Sequence, residues 1–156
     1  MNKDNKQTSV QEKQPQVVIN AQYVKDLSFE SPKSPLALAD IKTPPKIDLS
    51  VDINVQKITD NNYEVTLNIN AKASNEGDNL FVVELLYSGL FSLTNLQEEA
   101  QKEQILLIYC PSLIFPFARR VIADITRDGG FQPLMINPID FASLYMQQKD
   151  QGSTVN

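Results

Sequence analysis

The sequence contains no histidine, and this absence excludes several kinds of site. Histidine is the commonest general base, a frequent ligand of transition metals and a member of the Ser-His and Cys-His nucleophile pairs. The five glycines fit neither the dinucleotide-binding nor the P-loop spacing of a phosphate-binding loop. We therefore predict that the protein is not an enzyme and that it holds no cofactor and no metal.

The chain has a single cysteine, which excludes an intramolecular disulfide. Free cysteines are usually buried, so we expect Cys110 to be an inert core thiol. The first residues lack the apolar segment of a signal peptide. The longest apolar runs, 105–110 and 113–118, are separated by Pro111-Ser112 and are too short to cross a bilayer. These features predict a cytoplasmic protein without membrane insertion.

Positive charge is also scarce: the net charge is −5 and the isoelectric point is near 4.7. A nucleic-acid backbone or an anionic membrane repels such a surface, so we expect neither as a partner. The length of 156 residues suits one domain. Polar composition predicts disordered tails over 1–16 and 149–156, and the domain spans 17–148.

Apolar and polar residues alternate along four segments, as in half-buried β-strands. The first segment, 17–30, places Val17, Ile19, Ala21, Tyr23, Leu27 and Phe29 on one face, with a bend at Lys25. A loop with four prolines, 31–45, precedes the strands 47–56, 63–74 and 80–93. Short turns at 60–62 and 75–79 predict an antiparallel meander. The last strand is apolar on both faces, which indicates that a second subunit covers it.

Helical spacing follows the strands. Asn95-x-x-Glu98 resembles a capping box, and Gly129-Gly130 is a helix-ending pair. Pro111 and Pro116 predict a kink or a restart between these points. Asn137-Pro138 predicts the start of a second, short amphipathic helix. The sequence thus predicts an α+β fold, in which a four-stranded antiparallel, meander-like sheet carries two helices on one face.

Two features indicate binding rather than chemistry. Carboxylates recur on single strand faces, at Asp26 and Glu30 and at Asp48 and Asp52. They are either an ordinary solvated face or an acidic docking patch for a basic partner, and a hard-metal site is a weaker third interpretation. We interpret Arg119 and Arg120 as a solvated helix face. The surplus of apolar residues indicates oligomer contacts, a peptide-binding groove, or both.

Four motifs, in order, resemble those of the SecB family of bacterial protein-export chaperones. They are YVKDLSFESP at 23–32, ELLYSGLF at 84–91, YCPSLIFPFAR at 109–119, and the closing segments GFQPL at 130–134, PIDF at 138–141 and Leu144-Tyr145. The resemblance spans about residues 17–148. It departs from the pattern in the proline-rich loop, where some members have a tryptophan and this chain has Ile41-Lys42-Thr43.

The resemblance implies a homotetramer, built as a dimer of dimers, that holds unfolded secretory precursor proteins without ATP and delivers them to the SecA ATPase. By the family motif, SecA docks on an exposed sheet face at Asp26, Glu30, Val82 and Glu84. Unfolded clients bind an apolar groove near the proline-rich loop, the second strand and the last helix. The candidate groove residues are Leu36, Leu38, Ile41, Phe131, Phe141, Leu144 and Tyr145.

An alternative function on the same scaffold is a general chaperone, or one associated with a toxin–antitoxin pair, that serves other clients. An enzyme is the third hypothesis, and the absence of histidine and of a phosphate loop opposes it. Client binding, SecA binding and oligomeric state distinguish these hypotheses.

Overall fold

The computed structural model describes residues 13–39 and 41–152. Most of the predicted N-terminal tail, 1–12, and the last four residues lie outside this description. The first strand begins at Gln16, one residue before the predicted domain. The last helix continues to Gly152, so the prediction of a disordered tail is wrong for residues 149–152.

The fold is α+β, as predicted, and its sheet has four antiparallel strands. They are β1 (Gln16–Glu30), β2 (Lys46–Lys57), β3 (Asn62–Asn75) and β4 (Asp78–Thr94), and their order across the sheet is β1-β4-β3-β2. Only β2, β3 and β4 form the predicted meander. The prediction is wrong for β1, which pairs with β4 at the opposite edge from β2. The loop 31–45, with the short helix α1 (Leu36–Ala39), therefore carries the chain from one edge of the sheet to the other.

Two register shifts interrupt the pairing of β1 with β4, one at Asn20 and one at Lys25. Each shift is a β-bulge, in which one extra residue moves the following side chains to the other face. Between the bulges, Tyr23 pairs with Ser88 and lies on the face away from the helices. After the second bulge, Leu27 pairs with Leu85 and lies on the helix-covered face. The predicted single face for all of β1 is therefore wrong at Ala21 and Tyr23.

One long helix, Glu99–Asp128, follows the sheet. It consists of α2 (Glu99–Gln104), a π-helical segment (Ile105–Tyr109) and α3 (Cys110–Asp128). Pro111 has no N–H to donate one turn back, and the wider π turn before it keeps the helix continuous. The predicted restart at Pro111 or Pro116 is thus wrong, and the predicted kink stays a prediction. Glu98 precedes α2 without a side-chain cap, and the Asn95 side chain donates to the Gln14 carbonyl at 3.1 Å, so the predicted capping box is not formed.

The core lies between the sheet and the long helix, which packs chiefly on β4 and β3. The final helix, α4 (Phe141–Gly152), packs against the π-helical segment, and Phe141 contacts Phe115 edge to face, with ring centroids 5.7 Å apart.

Asp140 caps the N-terminus of α4, since its carboxylate accepts a hydrogen bond from the Ser143 N–H at 3.1 Å. The predicted cap at Asn137 is therefore wrong. The Ser143 side chain and backbone hold the pKa of Asp140 below its usual range.

The position of β4 in the sheet accounts for its apolar residues on both faces. β4 is a central strand, flanked by β1 and β3, so Val82, Leu86 and Leu90 are half-buried on the face that no helix covers. Ser88 and Thr66 are buried on that face and hydrogen-bond to each other at 2.7 Å. We call this surface the open face of the sheet.

Candidate functional site

Three carboxylates that the sequence singled out lie together on the open face. Glu30 pairs with Val82, Ser28 with Glu84 and Asp26 with Leu86, and paired residues of antiparallel strands share a face. Glu84 is therefore the diagonal neighbour of both Asp26 and Glu30, and such neighbours typically lie about 7–8 Å apart. We call Asp26, Glu30 and Glu84, with the half-buried Val82 between them, the acidic patch.

The acidic patch is an exposed surface, bordered on β3 by Lys72, which pairs with Val82. All three carboxylates are exposed, and within residues 13–39 and 41–152 none of them forms an ion pair. Asp48 and Asp52, the other predicted acidic pair, lie on the same face at the far edge strand β2, and Lys46 approaches Asp48 at 3.8 Å. The two pairs are therefore separate, and only the β1 pair gains a third carboxylate.

Beside the acidic patch lies a cluster that the sequence analysis missed, formed by Tyr23, Lys25 and Glu64. The Lys25 ammonium donates to Glu64 Oε1 at 2.6 Å, and the Tyr23 hydroxyl donates to Glu64 Oε2. These donors lower the pKa of Glu64, the Lys25 bond contributing most. Burial, and then the bond to Glu64, raise the pKa of Tyr23 to about 12. The bulge at Lys25, where the break in alternation predicted a bend, allows this contact, but no local pattern indicated that Glu64 would be the partner.

An apolar groove of about 510 Å³ opens at the other side of the sheet, where the proline-rich loop meets the segment after α3. Ile41 and Phe131, two of the predicted client-binding residues, both line it. The sequence analysis missed Phe81 and Leu134. The remaining walls are Lys42, Thr43, Pro44, Pro45, Ile47, Gly130, Gln132 and Pro133.

The floor of the apolar groove is an aromatic cluster. Phe81 stacks on Phe29 with ring centroids 5.9 Å apart, and Phe131 lies 5.0 Å from Phe81. Gly129 lies so close that a Cβ there would be 2.3 Å from the Phe29 ring. The buried Thr126 accepts a hydrogen bond from the Leu134 N–H at 2.9 Å and so fastens this wall of the groove to α3.

The structure separates the remaining predicted groove residues. Leu36 is 78% exposed and lines a neighbouring cavity of about 680 Å³, which Ile41 also borders. Leu38 packs against Gly130, which has a positive φ of 90°. Phe141 and Tyr145 are buried, and Leu144 is partly buried with them, on α4 against the long helix. In this protomer only Leu36, Leu38, Ile41 and Phe131 are brought together.

The similarity of the chain to known proteins can now be set beside these surfaces. The family model described as "Preprotein translocase subunit SecB" matches residues 10–152. Protein-export protein SecB of Rickettsia felis is 50% identical over 145 residues, which cover 92% of this chain and 95% of that protein. Its counterpart in Rickettsia typhi is 51% identical over 141 residues, which cover 90% and 92%. The chain belongs to the SecB family.

SecB-family members are soluble protein-export chaperones and not enzymes, so the chain is a chaperone of this family. Among solved structures, a SecB-like chaperone of Mycobacterium tuberculosis, in complex with a ChAD peptide from the HigA1 antitoxin, superposes with a TM-score of 0.67. It is 12% identical, and the match covers 79% of this chain and 90% of that one. This likeness supports the SecB fold of the chain.

The long helix of the SecB fold has an uncovered apolar side. Tyr109, Leu113, Phe117 and Val121 recur every fourth residue, and Tyr109 and Phe117 are exposed. By length and mean hydropathy the 30-residue helix could cross a membrane, although its uninterrupted apolar runs are as short as predicted. The opposite side of the helix is buried against the sheet, and core helices of soluble proteins meet the same criterion, so this is weak evidence for a span.

Two further predictions concern the long helix. Cys110 is buried in the core, as expected, and burial raises the pKa of its thiol to about 12. Arg119 and Arg120 border a shallow cavity of about 340 Å³ beside Met135. Arg120 is exposed and Arg119 half-buried, and Asp124 pairs with Arg127 at 3.4 Å.

Proposed function

We propose that this SecB-family chain is an ATP-independent export chaperone of the cytoplasm. It binds unfolded secretory precursors and delivers them to the SecA ATPase of the translocon. The observation that carries this proposal is the 50% identity to protein-export SecB over nearly the whole of both chains. The separation of the acidic patch from the apolar groove supports it, because a carrier must hold its client while it docks on the next component.

In this proposal SecA docks on the acidic patch. Three exposed carboxylates around a half-buried valine provide both a negative field and a small apolar contact. Charges of one sign steer the encounter with a basic partner and determine specificity more than affinity. The matching part of the partner is therefore a basic segment with an apolar side chain at its centre.

Unfolded clients bind in the apolar groove, in the same proposal. The groove is lined by aromatic, proline and aliphatic side chains, and the exposed Leu36 and Leu38 extend it toward α1. Such a surface accepts many apolar side chains without a fixed sequence. We assign Leu36, Leu38, Ile41 and Phe131 to client contact, and Phe141, Leu144 and Tyr145 to the support of α4.

The proposed assembly is a homotetramer formed as a dimer of dimers. The ridge Tyr109, Leu113, Phe117 and Val121 supports it, since Tyr109 and Phe117 are exposed and apolar residues at four-residue spacing form a seam between packed helices. Several grooves on one tetramer bind one unfolded chain by effective concentration, which strengthens weak individual contacts. Light scattering should give a mass of four chains, and a strictly monomeric mass contradicts this part of the proposal.

The alternative is a general or antitoxin-associated chaperone on the same fold. The identity of 12% to the M. tuberculosis SecB-like chaperone, against 50% to protein-export SecB, favours export. A pull-down decides between them: SecA and nascent secretory precursors should co-purify with the chain. Recovery of an antitoxin without SecA would support the alternative.

The docking site is tested with two charge-matched variants. Asp26→Asn/Glu30→Gln removes two charges from the acidic patch, and Asp48→Asn/Asp52→Asn removes two from the far strand of the same face. We expect the first to weaken SecA binding at least about tenfold, or 1.4 kcal/mol, and the second to change it much less. Equal losses would indicate a general charge effect and not a docking site.

The client groove is tested with a matched isoleucine pair. Ile41 is 42% exposed in the groove, and Ile58 is 51% exposed beyond the end of β2. We expect Ile41→Asp to weaken the binding of an unfolded model protein and Ile58→Asp to leave it unchanged, with SecA binding retained in both. If Ile41→Asp removed SecA binding as well, the division into two sites would be wrong.

A further inference from the structure

The Tyr23–Lys25–Glu64 cluster lies on the open face next to the acidic patch, and the proposed function gives it no role. Lys25 is adjacent in sequence to Asp26, and its side chain is 46% exposed. Because Lys25 is the extra residue of a bulge, its side chain and that of Asp26 both lie on the open face, and an ion pair between them is within reach. Here its ammonium instead contacts Glu64, which is a residue of β3 on the far side of β4.

Glu64 is well placed to hold Lys25 in this position. Its side chain is only 13% exposed, and the Tyr23 hydroxyl donates to its second carboxylate oxygen. The carboxylate is therefore fixed and stays charged, because both donors lower its pKa. The bulge at Lys25 adds the extra residue that directs this side chain across β4. The other lysines near the patch, Lys33 and Lys72, do not contact Glu64, and Lys33 pairs with Asp78.

We propose that Glu64 is a positioning residue for the acidic patch: it holds the Lys25 ammonium away from Asp26 and so keeps the patch negative for docking of a basic partner. This inference rests on the proposed docking of SecA. Glu64 does not touch the partner in this scheme. Its effect on binding passes through Lys25, which becomes a competitor of the partner's own cations when Glu64 is removed.

The test is a double-mutant cycle with SecA affinity as the readout. Glu64→Gln keeps an acceptor for Tyr23 and removes the charge that holds Lys25. We expect it to weaken SecA binding about two- to fivefold, the range typical of an exposed ion pair. In the Lys25→Gln background the same change should have almost no effect, because no ammonium remains to be released. Addition of Lys25→Gln to Glu64→Gln should thus restore binding.

Simple long-range charge effects give a different result. If Glu64 acted only through its own negative charge, Glu64→Gln would weaken binding equally with and without Lys25, and additivity of this kind overturns the inference. The matched control is Lys72→Gln, which removes a cation of the same face that has no contact with Glu64. The effect of Glu64→Gln should be the same with Lys72 or Gln at this position.

The experiment separates failure of the inference from failure of the proposed function. Asp26→Asn/Glu30→Gln, measured in the same assay, tests the docking site itself. If that variant binds SecA normally, the proposed site is wrong. If it binds weakly and the Lys25–Glu64 cycle is additive, the site stands and the positioning role is wrong. Circular dichroism on each variant tests for a loss of fold. Lys25→Gln/Glu64→Gln is a second control: it carries the same Glu64→Gln change, so normal SecA binding by this double variant would show that the change does not unfold the docking site.

Discussion

Gly129→Ala should destabilise the fold through one defined clash. A Cβ at Gly129 would lie 2.3 Å from Phe29 Cζ and 2.6 Å from Phe29 Cε1. Ordinary carbon contacts are about 3.5–4.0 Å. The ring cannot simply swing away, because it stacks on Phe81 and also meets Phe131 at 6.5 Å. The groove floor must therefore shift to admit one methyl group.

The expected loss follows from two opposing terms. Overpacking of a well-filled site costs about 1–3 kcal/mol in free energy of unfolding. Gly129 has a φ of −74°, which alanine adopts freely, so the loss of chain entropy in the unfolded state returns about 0.4–1 kcal/mol. The net destabilisation should be about 1–2 kcal/mol. Gly77→Ala is a useful contrast, since it has open space around it and a φ of 84°, and its cost is backbone strain alone.

The assay is urea unfolding followed by circular dichroism, since the chain has no tryptophan. Protomer concentration must be held constant, because the stability of an oligomer depends on it. The decisive comparison uses Phe29→Leu, which removes the ring atoms that clash. Gly129→Ala should cost at least about 1 kcal/mol less in the Phe29→Leu background than in the parent. An equal cost in both backgrounds would refute the steric argument.

Three further predictions concern other groups of the structure. Thr126→Val leaves the Leu134 N–H without its acceptor and should cost about 1–3 kcal/mol in urea unfolding, whereas Thr126→Ser should retain most of the stability; equal stability of the two variants would contradict this. Cys110 should react with a thiol reagent at pH 8 only after unfolding, since burial raises its pKa to about 12, and rapid reaction of the native protein would show the thiol to be accessible. Because the folded-state pKa of Glu64 is lowered, its ionisation stabilises the fold above the ordinary glutamate pKa of about 4.3, and this contribution is lost as the pH falls through the folded value. The stability difference between the parent and Glu64→Gln should therefore shrink below about pH 4, and a constant difference would count against the ion pair.

The sequence was most informative where alternation is strict. The segments 47–56 and 63–74 lie within β2 and β3. The inward face predicted for β3 is buried, whereas that of β2 is half-buried at Val51, Ile53 and Val55 and exposed at Ile47 and Leu49. Each of these strands has one apolar and one polar face, so one register is favoured. The amphipathic spacing of α3 was equally clear, and its buried residues include Ile114, Ala118 and Ile122.

The errors have two physical sources. In β1 the bulges change the face at residues that are tolerated on either side, since tyrosine is amphipathic and Ala21 is small. The second source is distance along the chain. Glu64 and Lys25 are 39 residues apart, and the pairing order that brings them together depends on where β1 joins the sheet. The residues of the acidic patch were predicted from the family motifs. The full lining of the groove depends on the path of 31–45 across the sheet, which no local sequence pattern specifies.

The end of β1 explains how the two proposed sites can act at the same time. Phe29 faces the helices and packs against Phe81 and Phe131, which line the groove, whereas the next residue, Glu30, faces the opposite side and belongs to the acidic patch. Alternation along a strand places neighbouring side chains on opposite faces of the sheet. A client in the groove and a partner on the patch therefore do not compete for space on this protomer. They do share a backbone, so a change that shifts the Phe29 ring, such as Gly129→Ala, should disturb client binding first and reach SecA binding only through the position of Glu30.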